Sequence, residues 1–426
     1  MNDLVNVKQQ DSKASWYAVF VLLLAYVLSF VDRIILSLLV TPIKADLGTT
    51  DAQMGLLMGF AFAIFYTVAG IPIAKYSDVK SRKMIIAIGV FLWSIMTAVC
   101  GLARSFFQLF LARVGVGVGE AALTPAAYSM ISDYFSEDKL GRAMAVYKSG
   151  AMFGGGLAFI IGGAVVGYVV NSDSIFLPIL GEMKPWQMAF IIVGLPGVLI
   201  GLLMLTVKEP RRTGITDTLD KKVSISDAIK YMQKRWRIYL FIFLGFAFMG
   251  APISSALTWI PVYLQRIHEM SIPESGRTLG IIIFFLSTSG VIFSGWLIDT
   301  FKKKGFQDGY FKVALMICIV TIPISYFVMN DESLDKTLWW LNPFVFVASM
   351  PLAISATVLQ IVTPNQLRAQ VSAVYMLFLN LITALIVTTG IGFITDFWFK
   401  NEMALGQSIT MVNLLSMFMA FLCLYI

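Results

Sequence analysis

Apolar stretches of about 20 residues, long enough to cross the hydrocarbon layer of a bilayer as helices, recur from one end of the chain to the other. Helices are the only plausible spanning element here, because lipid cannot satisfy the open edge of a sheet. The chain is therefore predicted to be an all-α polytopic membrane protein. Its twelve predicted spans are residues 16–39, 53–74, 84–103, 106–128, 143–170, 187–207, 238–264, 278–300, 311–329, 338–360, 370–397 and 405–426.

The composition excludes an ordinary soluble protein, and the charge distribution predicts the orientation. Of the 426 residues, 58% are hydrophobic and 13% are charged, whereas soluble domains have about 25% charged residues. Most of the 32 Lys and Arg residues lie in the N-terminal segment, the central linker and the loops on the same side. The positive-inside rule therefore places both termini in the cytoplasm. Topology also accounts for the net charge of +7, so no nucleic-acid partner is expected.

One long polar stretch inside the chain separates two sets of six spans. We predict a cytoplasmic N-terminal segment at 1–15, a six-helix bundle at 16–207, a cytoplasmic linker at 208–237 and a second six-helix bundle at 238–426. The linker contains a helix start signal. A basic amphipathic helix at about 225–235 is predicted to lie along the membrane surface.

Two short patterns of the first half recur in the second half. Ala145-Val-Tyr147 at the fifth span returns as Ala373-Val-Tyr375 at the eleventh. After the second and the eighth spans, an acid is followed four and five residues later by two cations. Two related six-helix halves with a site between them are typical of a transporter. The charged pattern consists of Asp78, Arg82 and Lys83 in the first half and Asp299, Lys303 and Lys304 in the second.

Four charged residues lie within the first and fourth predicted spans, namely Asp32, Arg33, Arg113 and Glu120. A charge at that depth costs about 2.5–3.5 kcal/mol, so each should face protein or a water-filled cavity. We predict Asp32 and Glu120 as protonation sites, with Arg113 as the cation that competes for them. Arg113 and Glu120 are about 10.5 Å apart along the helix axis. Arg113 is therefore expected to reach another helix, plausibly at Asp32.

Two alternatives remain open for these charges. The four groups could form a static ion network that only fixes helix packing. Arg33 points about 100° away from Asp32 on its helix, and it could hold an anionic headgroup or pair with a neighbouring helix. The glycines of the fourth and fifth spans, together with Gly70, are expected to let helix backbones approach closely.

The second half offers neutral polar and aromatic side chains in place of ions. Such an asymmetric lining suits an amphipathic anion whose head meets the first half. Lys148 is a further candidate for an anion contact, although it could instead snorkel to the interface. The predicted substrate contacts are Arg33, Lys148, Ser255, Thr258, Trp259, Gln360, Asn380 and Thr383. The predicted cytoplasmic gate consists of Asp78, Arg82, Lys83, Arg142, Asp299, Lys303 and Arg368.

These motifs resemble those of the major facilitator superfamily. The Asp78 segment is similar to the family loop motif G-x-x-x-D-R-x-G-R-K, with Ala74, Val79 and Ser81 in place of Gly, Arg and the second Gly. The family's fourth-helix motif is matched by Arg113-Val-Gly-Val-Gly117-Val-Gly119. The glycines of the fifth span, from Gly150 onwards, are similar to the family's glycine-rich fifth-helix motif. The resemblance implies two six-helix bundles related by a pseudo-twofold axis.

A narrower resemblance is to the spinster family and its bacterial members. It implies proton-coupled, alternating-access transport of lysophospholipids or sphingoid phosphates, and location in a bacterial inner membrane as a monomer. Lys148, near the start of the fifth span, departs from the apolar or aromatic residue that the family resemblance leads us to expect at this position. The similar strings are Tyr26-Val-Leu-Ser-Phe-Val-Asp32-Arg33, Arg113-Val-Gly-Val-Gly-Val-Gly-Glu120-Ala121 and Trp259-Ile-Pro261-Val-Tyr-Leu-Gln-Arg266-Ile-His268.

Other functions were weighed against the lipid carrier. A proton-linked symporter of a small soluble organic anion is the main alternative. An enzyme is not expected, because the sequence has no metal-ligand cluster and no nucleophile with a base, and its one His268 lies outside the spans. No cofactor is expected beyond protons as the coupling ion. The sequence stops at Ile426 inside an apolar run, which would fit a truncated chain.

Overall fold

Among the residues that the computed structural model describes, twelve helices are long and apolar enough to cross a membrane, which confirms the predicted fold class. The structure describes residues 11–77, 79–170, 175–177, 181–212, 225–306 and 308–425. Spans 1 to 12 are Lys13–Leu38, Asp51–Ser77, Arg82–Cys100, Phe106–Tyr134, Asp138–Val169, Pro185–Thr206, Trp236–Thr258, Ile272–Lys303, Gly309–Asn330, Leu334–Val362, Gln370–Phe399 and Glu402–Tyr425.

Several spans begin where a hydroxyl side chain caps the helix. Ser12, Ser81 and Ser105 each accept a hydrogen bond from the backbone N–H three residues later. At span 2, Thr50 and Gln53 form a reciprocal capping box. These caps satisfy backbone donors that have no partner inside the helix, and they explain why the spans start at these residues.

Short elements connect or extend the spans. The helix Val40–Leu47 follows span 1, Ile260–Ile267 follows span 7, and Ile225–Lys234 lies in the predicted linker. The linker helix buries Ala228 and Met232 among the side chains of the second-half spans, while its opposite face is exposed. A two-stranded antiparallel hairpin, Ile175–Leu177 with Gly181–Met183, is a small addition to the all-helical prediction.

Wide π-helical turns interrupt three of the spans. They occur in span 2, in span 8 and twice in span 11. Such turns are rare and are frequent at functional sites, because they free backbone carbonyls and re-aim side chains. The π-helical segments are Leu56–Phe60, Ile283–Ser287, Thr383–Thr389 and Ile394–Phe399.

The chain divides by its internal contacts into two compact units. The units differ from the predicted bundles at two short segments: the start of span 2 belongs with the second unit and the start of span 8 with the first. Unit 1 is Met1–Thr49, Ala61–Asp217 and Ser271–Gly280, and unit 2 is Thr50–Phe60, Thr218–Met270 and Ile281–Ile426.

The repeated Ala-Val-Tyr pattern has the same packing role in both units. In unit 1, Tyr147 is fully buried and stacks on Tyr26 of span 1, with ring centroids 4.9 Å apart. In unit 2, Tyr375 is 3% exposed and packs on Phe243 of span 7 at 5.4 Å. The repeat therefore places an aromatic contact between the fifth and first spans of each half.

The glycines of span 4 allow it to lie close to two neighbours in unit 1. A Cβ atom added at Gly117 would lie 2.7 Å from the carbonyl oxygen of Phe62 in span 2. One added at Gly119 would lie 2.7 Å from the amide nitrogen of Trp93 in span 3. Both distances are shorter than a carbon atom tolerates, so these positions require glycine. The expectation for Gly70 is wrong, because a Cβ there would meet nothing within 4 Å.

The glycines of span 5 face span 1 in the same way. Cβ atoms at Gly150 and Gly154 would lie 2.8 Å from Leu23 and 3.0 Å from Phe30, respectively. Gly163 lies against Gly276, where a Cβ would be 3.2 Å from the opposing Cα. Small residues in membrane helices allow this backbone approach, and packing explains the glycine pattern here.

We predict that Gly119→Ala will lower the stability of the folded protein, whereas Gly70→Ala will not. The added methyl at Gly119 forces spans 3 and 4 apart, and overpacking of this kind typically costs about 1–3 kcal/mol. The same methyl at Gly70 meets open space. Thermal unfolding of the purified variants measures the difference, and equal melting temperatures would contradict this account of span 4.

Candidate functional site

Three charged side chains that the sequence singled out are buried together in unit 1. Asp32 of span 1 is fully buried, and Arg113 and Glu120 of span 4 are each 1% exposed. The close approach of span 4 to spans 2 and 3 at Gly117 and Gly119 brings these groups into the interior. The prediction that charges at this depth face protein agrees with their burial.

Arg33 forms an ion pair with Glu120 that links spans 1 and 4. The Arg33 Nε donates to the Glu120 Oε2 at 2.7 Å, and the Nη2 lies 2.5 Å from the same oxygen. The guanidinium also lies 4.5 Å from the ring centroid of Phe62 and 5.3 Å from that of Tyr66. Of the two roles left open for Arg33, the structure shows pairing with a neighbouring helix.

Arg113 reaches span 1 at Asp32, but at the backbone of that residue. Its Nη1 donates to the main-chain carbonyl of Asp32 at 2.9 Å. Its Nε has no hydrogen-bond partner in the part of the chain that the structure describes. The guanidinium therefore lies next to Asp32 without being bound to its carboxylate.

The carboxylate of Asp32 faces span 3, which the sequence analysis did not single out. The side-chain donors that face it are the indole of Trp93 and the hydroxyl of Thr97. Within the described residues, neither Asp32 oxygen has a partner at hydrogen-bond geometry, and the Trp93 Nε1 and the Thr97 Oγ1 have none either. The spacing of four residues between Trp93 and Thr97 puts them on one helix face. This spacing is the sequence pattern from which the two residues could have been found.

Two predicted substrate contacts, one in span 7 and one directly after it, form hydrogen bonds inside unit 2. Ser255 is fully buried and its hydroxyl donates to the Pro252 carbonyl at 2.9 Å and also contacts Asn413. Trp259 is fully buried, and its indole N–H donates to the Thr388 carbonyl at 2.8 Å. This indole satisfies a carbonyl in the π-helical part of span 11.

The other predicted substrate contacts are more accessible. Lys148 is exposed, with its Nζ 5.5 Å from the Tyr128 ring centroid. Gln360 is exposed, while Asn380 is half-buried. Two hydroxyls bond the carbonyl of the preceding helical turn: Thr258 donates to Ser254 and Thr383 donates to Leu379.

Arg82, predicted in the cytoplasmic gate, is buried within unit 1. It is 1% exposed and contacts the Asp133 carboxylate, the Ser129 hydroxyl at 2.8 Å and the Glu209 Oε1 at 3.1 Å. Its Nη2 also donates to the Pro210 carbonyl at 2.9 Å. Arg82 thus joins the start of span 3, the end of span 4 and the segment after span 6.

The remaining gate candidates occupy different surroundings. The Lys83 Nζ donates to the Leu205 carbonyl at 3.3 Å, and the Arg368 Nε donates to the Thr363 carbonyl at 3.2 Å. Arg142, Asp299 and Lys303 are exposed. Asp78 lies outside the described residues.

Unit 2 contains a buried ion pair that sequence reasoning missed. Arg266 and Asp51 form a bidentate pair, with N···O distances of 2.7 and 2.9 Å. The Asp51 side chain is fully buried and that of Arg266 is 9% exposed. Nearby, the Asp396 carboxylate accepts a hydrogen bond from the Ala52 amide at 2.6 Å. An anion at a helix N-terminus is favourable, so Asp396 stabilises the start of span 2.

A family comparison identifies the class to which this fold and its buried charges belong. Residues 22–388 match the profile described as Major Facilitator Superfamily. The chain belongs to the major facilitator superfamily. Its family and fold are those of transporters rather than enzymes, so it is a secondary transporter. Within the described residues, no group of three His, Cys, Asp or Glu side chains could hold a metal ion.

Similar proteins include transporters of different kinds. The chain is 28% identical over 390 residues to an MFS-type efflux pump of Mycolicibacterium smegmatis, covering 88% of this chain and 83% of that protein. It is 25% identical over 330 residues to the D-galactonate transporter of Escherichia coli O6:H1, covering 72% and 73%.

A solved structure supports the narrower resemblance. It is that of a bacterial homologue of the human lysosomal transporter Spinster, in an inward-facing and unoccupied conformation. The match has a TM-score of 0.80 and 26% identity, and it covers 97% of this chain and 95% of the other. The chain therefore resembles the spinster proteins in structure as well as in motifs.

We predict that breaking the Asp51–Arg266 pair will destabilise the protein far more than breaking an exposed pair. Asp51→Asn leaves a buried guanidinium without its anion, and loss of one partner of a buried pair costs about 3–5 kcal/mol. The control is Asp308→Asn, which removes the exposed partner of Lys312 and should cost below about 1 kcal/mol. Thermal unfolding of both variants makes the comparison, and similar losses would contradict it.

We predict that the contribution of Glu209 to stability will be lost in acid. Burial raises the pKa of this carboxyl, but hydrogen bonds from the Ser81 hydroxyl and from the Lys83 and Arg82 amides outweigh it and lower the pKa. A lowered pKa stabilises the folded state at pH values above the ordinary pKa near 4.5. This contribution to stability disappears as the pH falls through the pKa of the folded state. The melting temperatures of parent and Glu209→Gln should therefore differ at pH 7 and converge below pH 4.5; a constant gap would contradict the assignment.

Proposed function

We propose that this transporter is proton-coupled, works by alternating access, and moves an amphipathic anionic lipid such as a lysophospholipid. The observation that carries the proposal is the contrast between two buried carboxylates of unit 1. Glu120 is paired with Arg33, whereas neither oxygen of Asp32 has a hydrogen-bond partner among the described residues. An anion buried without such partners is costly, and accepting a proton removes that cost.

Arg113 supplies the switch in this proposal. Its guanidinium is held on the backbone carbonyl of Asp32 itself. When Asp32 is ionised, Arg113 is attracted to it; when Asp32 is protonated, that attraction ends and Arg113 is free to interact elsewhere. Binding of a proton to Asp32 thereby changes the contacts between spans 1 and 4. The alternative, a static network that fixes helix packing, predicts no such change.

The proposed substrate class rests on the distribution of polar groups and on the spinster resemblance. The exposed cation of Lys148 suits an anionic head and lies against the Tyr128 ring. Arg33, although paired with Glu120, lies against the Phe62 ring. Neutral polar groups at Gln360, Asn380 and Thr383 supply the softer contacts of the second half. The solved neighbour is a homologue of the lysosomal transporter Spinster.

A soluble organic anion is the second candidate substrate. Similarity to the D-galactonate transporter over 72% of this chain favours it. A sugar acid offers one carboxylate and several hydroxyls and lacks an apolar tail. It would use the same cations but gain nothing from an apolar lining, so the two substrates are distinguishable by experiment.

The proposed gate lies at the cytoplasmic ends of the spans. We place the exposed Asp299, Lys303 and Arg142, with Asp78, Lys83 and Arg368, in a latch on the cytoplasmic side, where Arg82 joins the start of span 3 to the end of span 4 and to the segment after span 6. Both termini are proposed to lie in the cytoplasm of a bacterial cell, and the protein is proposed to act as a monomer in the inner membrane.

The decisive experiment is transport in proteoliposomes with a pH indicator trapped inside. We predict that adding a lysophospholipid will change the internal pH in vesicles with the parent protein, and that Asp32→Asn will abolish the change. Galactonate should give no response. The reason is that only an acid at position 32 can carry the proton in this mechanism.

The control variant is Asp308→Asn, which removes an exposed carboxylate and should leave the pH response intact. A response to galactonate alone would replace the lipid with a soluble anion as substrate. Undiminished proton movement in Asp32→Asn would leave the static network as the role of these charges and refute the coupling mechanism.

A further inference from the structure

One face of span 3 presents polar groups that the mechanism above does not use. Trp93 and Thr97 are one helical turn apart, and both are fully buried. Neither the indole Nε1 nor the hydroxyl Oγ1 has a hydrogen-bond partner within the described parts of the chain. Both face the Asp32 carboxylate, whose two oxygens are also without such partners.

Burying these polar groups costs free energy unless they form hydrogen bonds with one another. Each buried polar atom left unpaired costs about 1–3 kcal/mol, and four such atoms meet at this position. Both groups on span 3 can donate a hydrogen bond, and an ionised carboxylate only accepts them. The chemistry of the two sides is therefore complementary, either by direct contact or through a shared water molecule.

The helix packing holds these donors in place. Span 4 lies directly against the Trp93 backbone, where a Cβ at Gly119 would be 2.7 Å from the Trp93 amide nitrogen. The same span carries Arg113, whose guanidinium holds the Asp32 backbone carbonyl from the other side. Asp32 is thus fixed between a cation at its backbone and two neutral donors at its side chain.

We propose that Trp93 and Thr97 are positioning residues for Asp32, which donate hydrogen bonds to its ionised carboxylate, directly or through one water molecule, and so set the pH at which it takes up a proton. This inference rests on the proposed function, since it assigns the residues that tune the proposed proton site. It also gives span 3, which has no charged residue after Lys83, a part in proton coupling.

The other titratable groups around Asp32 are few. Arg113 and Glu120 face it from span 4, and Cys100 faces it from span 3. Span 6 has no ionisable residue in Pro185–Thr206. On span 5, Tyr147 stacks on Tyr26, which precedes Asp32 by six residues on span 1. The experiment below leaves all of these residues unchanged.

The test is infrared difference spectroscopy of the reconstituted full-length protein without substrate. The carbonyl stretch of protonated Asp32 is identified by its absence in Asp32→Asn and is titrated with pH. Thr97→Val keeps the side-chain shape, and Trp93→Phe keeps an aromatic ring of smaller size; each removes one donor. We predict that each variant protonates Asp32 about one pH unit higher than the parent, which is about a tenfold gain in proton affinity. Thr97→Ser, which retains the hydroxyl, should restore the parental midpoint.

Ser94→Ala is the matched control. Ser94 is also buried on span 3 and its hydroxyl also lacks a hydrogen-bond partner among described residues, but it points to Gly197 of span 6. Its removal should leave the Asp32 midpoint unchanged. An unmoved midpoint in both Thr97→Val and Trp93→Phe would overturn the inference, as would an Asp32 band that does not titrate in the parent protein.

The readout separates this inference from the proposed function. If the midpoint shifts as predicted but lysophospholipid moves no protons, the positioning role stands and proton-coupled lipid transport fails. If transport is coupled but the midpoint is insensitive to both donors, the function stands and the role of span 3 fails. If Trp93→Phe does not fold, Thr97→Val and Thr97→Ser still test the positioning role.

Discussion

The burial of Asp32, Arg113 and Glu120 inside apolar helices, with Arg33 half-buried beside them, is the constraint on which unit 1 is built. Each charge must meet a partner or pay the full cost of leaving water. Arg33 and Glu120 meet each other, and Arg113 meets a backbone carbonyl. The glycines at 117 and 119 let span 4 pack closely on spans 2 and 3. The glycine motif and the buried charges therefore lie on the same helix, which carries both the close packing and the contacts to span 1.

Much of the fold could be predicted from the sequence because the bilayer imposes a strong length and polarity rule. All twelve spans were recognisable, and several of them begin at local signals such as the caps at Ser81 and Ser105. The internal repeat predicted related halves, and Tyr147 and Tyr375 show equivalent packing. Local signals and membrane thickness act within one span, so they are readable without knowing the neighbours.

The candidate site was predicted only as far as its charges. A charge in a span stands out, so Asp32, Arg113 and Glu120 were found, but the partner of each depends on helix rotation and packing. Trp93 and Thr97 escaped notice because neutral side chains are ordinary in an apolar span. The Asp51–Arg266 pair joins residues far apart in the chain, and no local pattern indicates that they meet.

The π-helical turns of span 11 have a consequence for comparing the two halves. A wide turn acts on the helix like the insertion of a residue, and one residue corresponds to a rotation of about 100° in an α-helix. Tyr375 precedes both wide segments, so it stays aligned with Tyr147. Beyond Thr383, positions equivalent by simple counting from span 5 will face different directions. The pseudo-symmetry of the halves therefore holds for the first half of span 11 and is deliberately broken in its second, where each half is free to acquire different contacts.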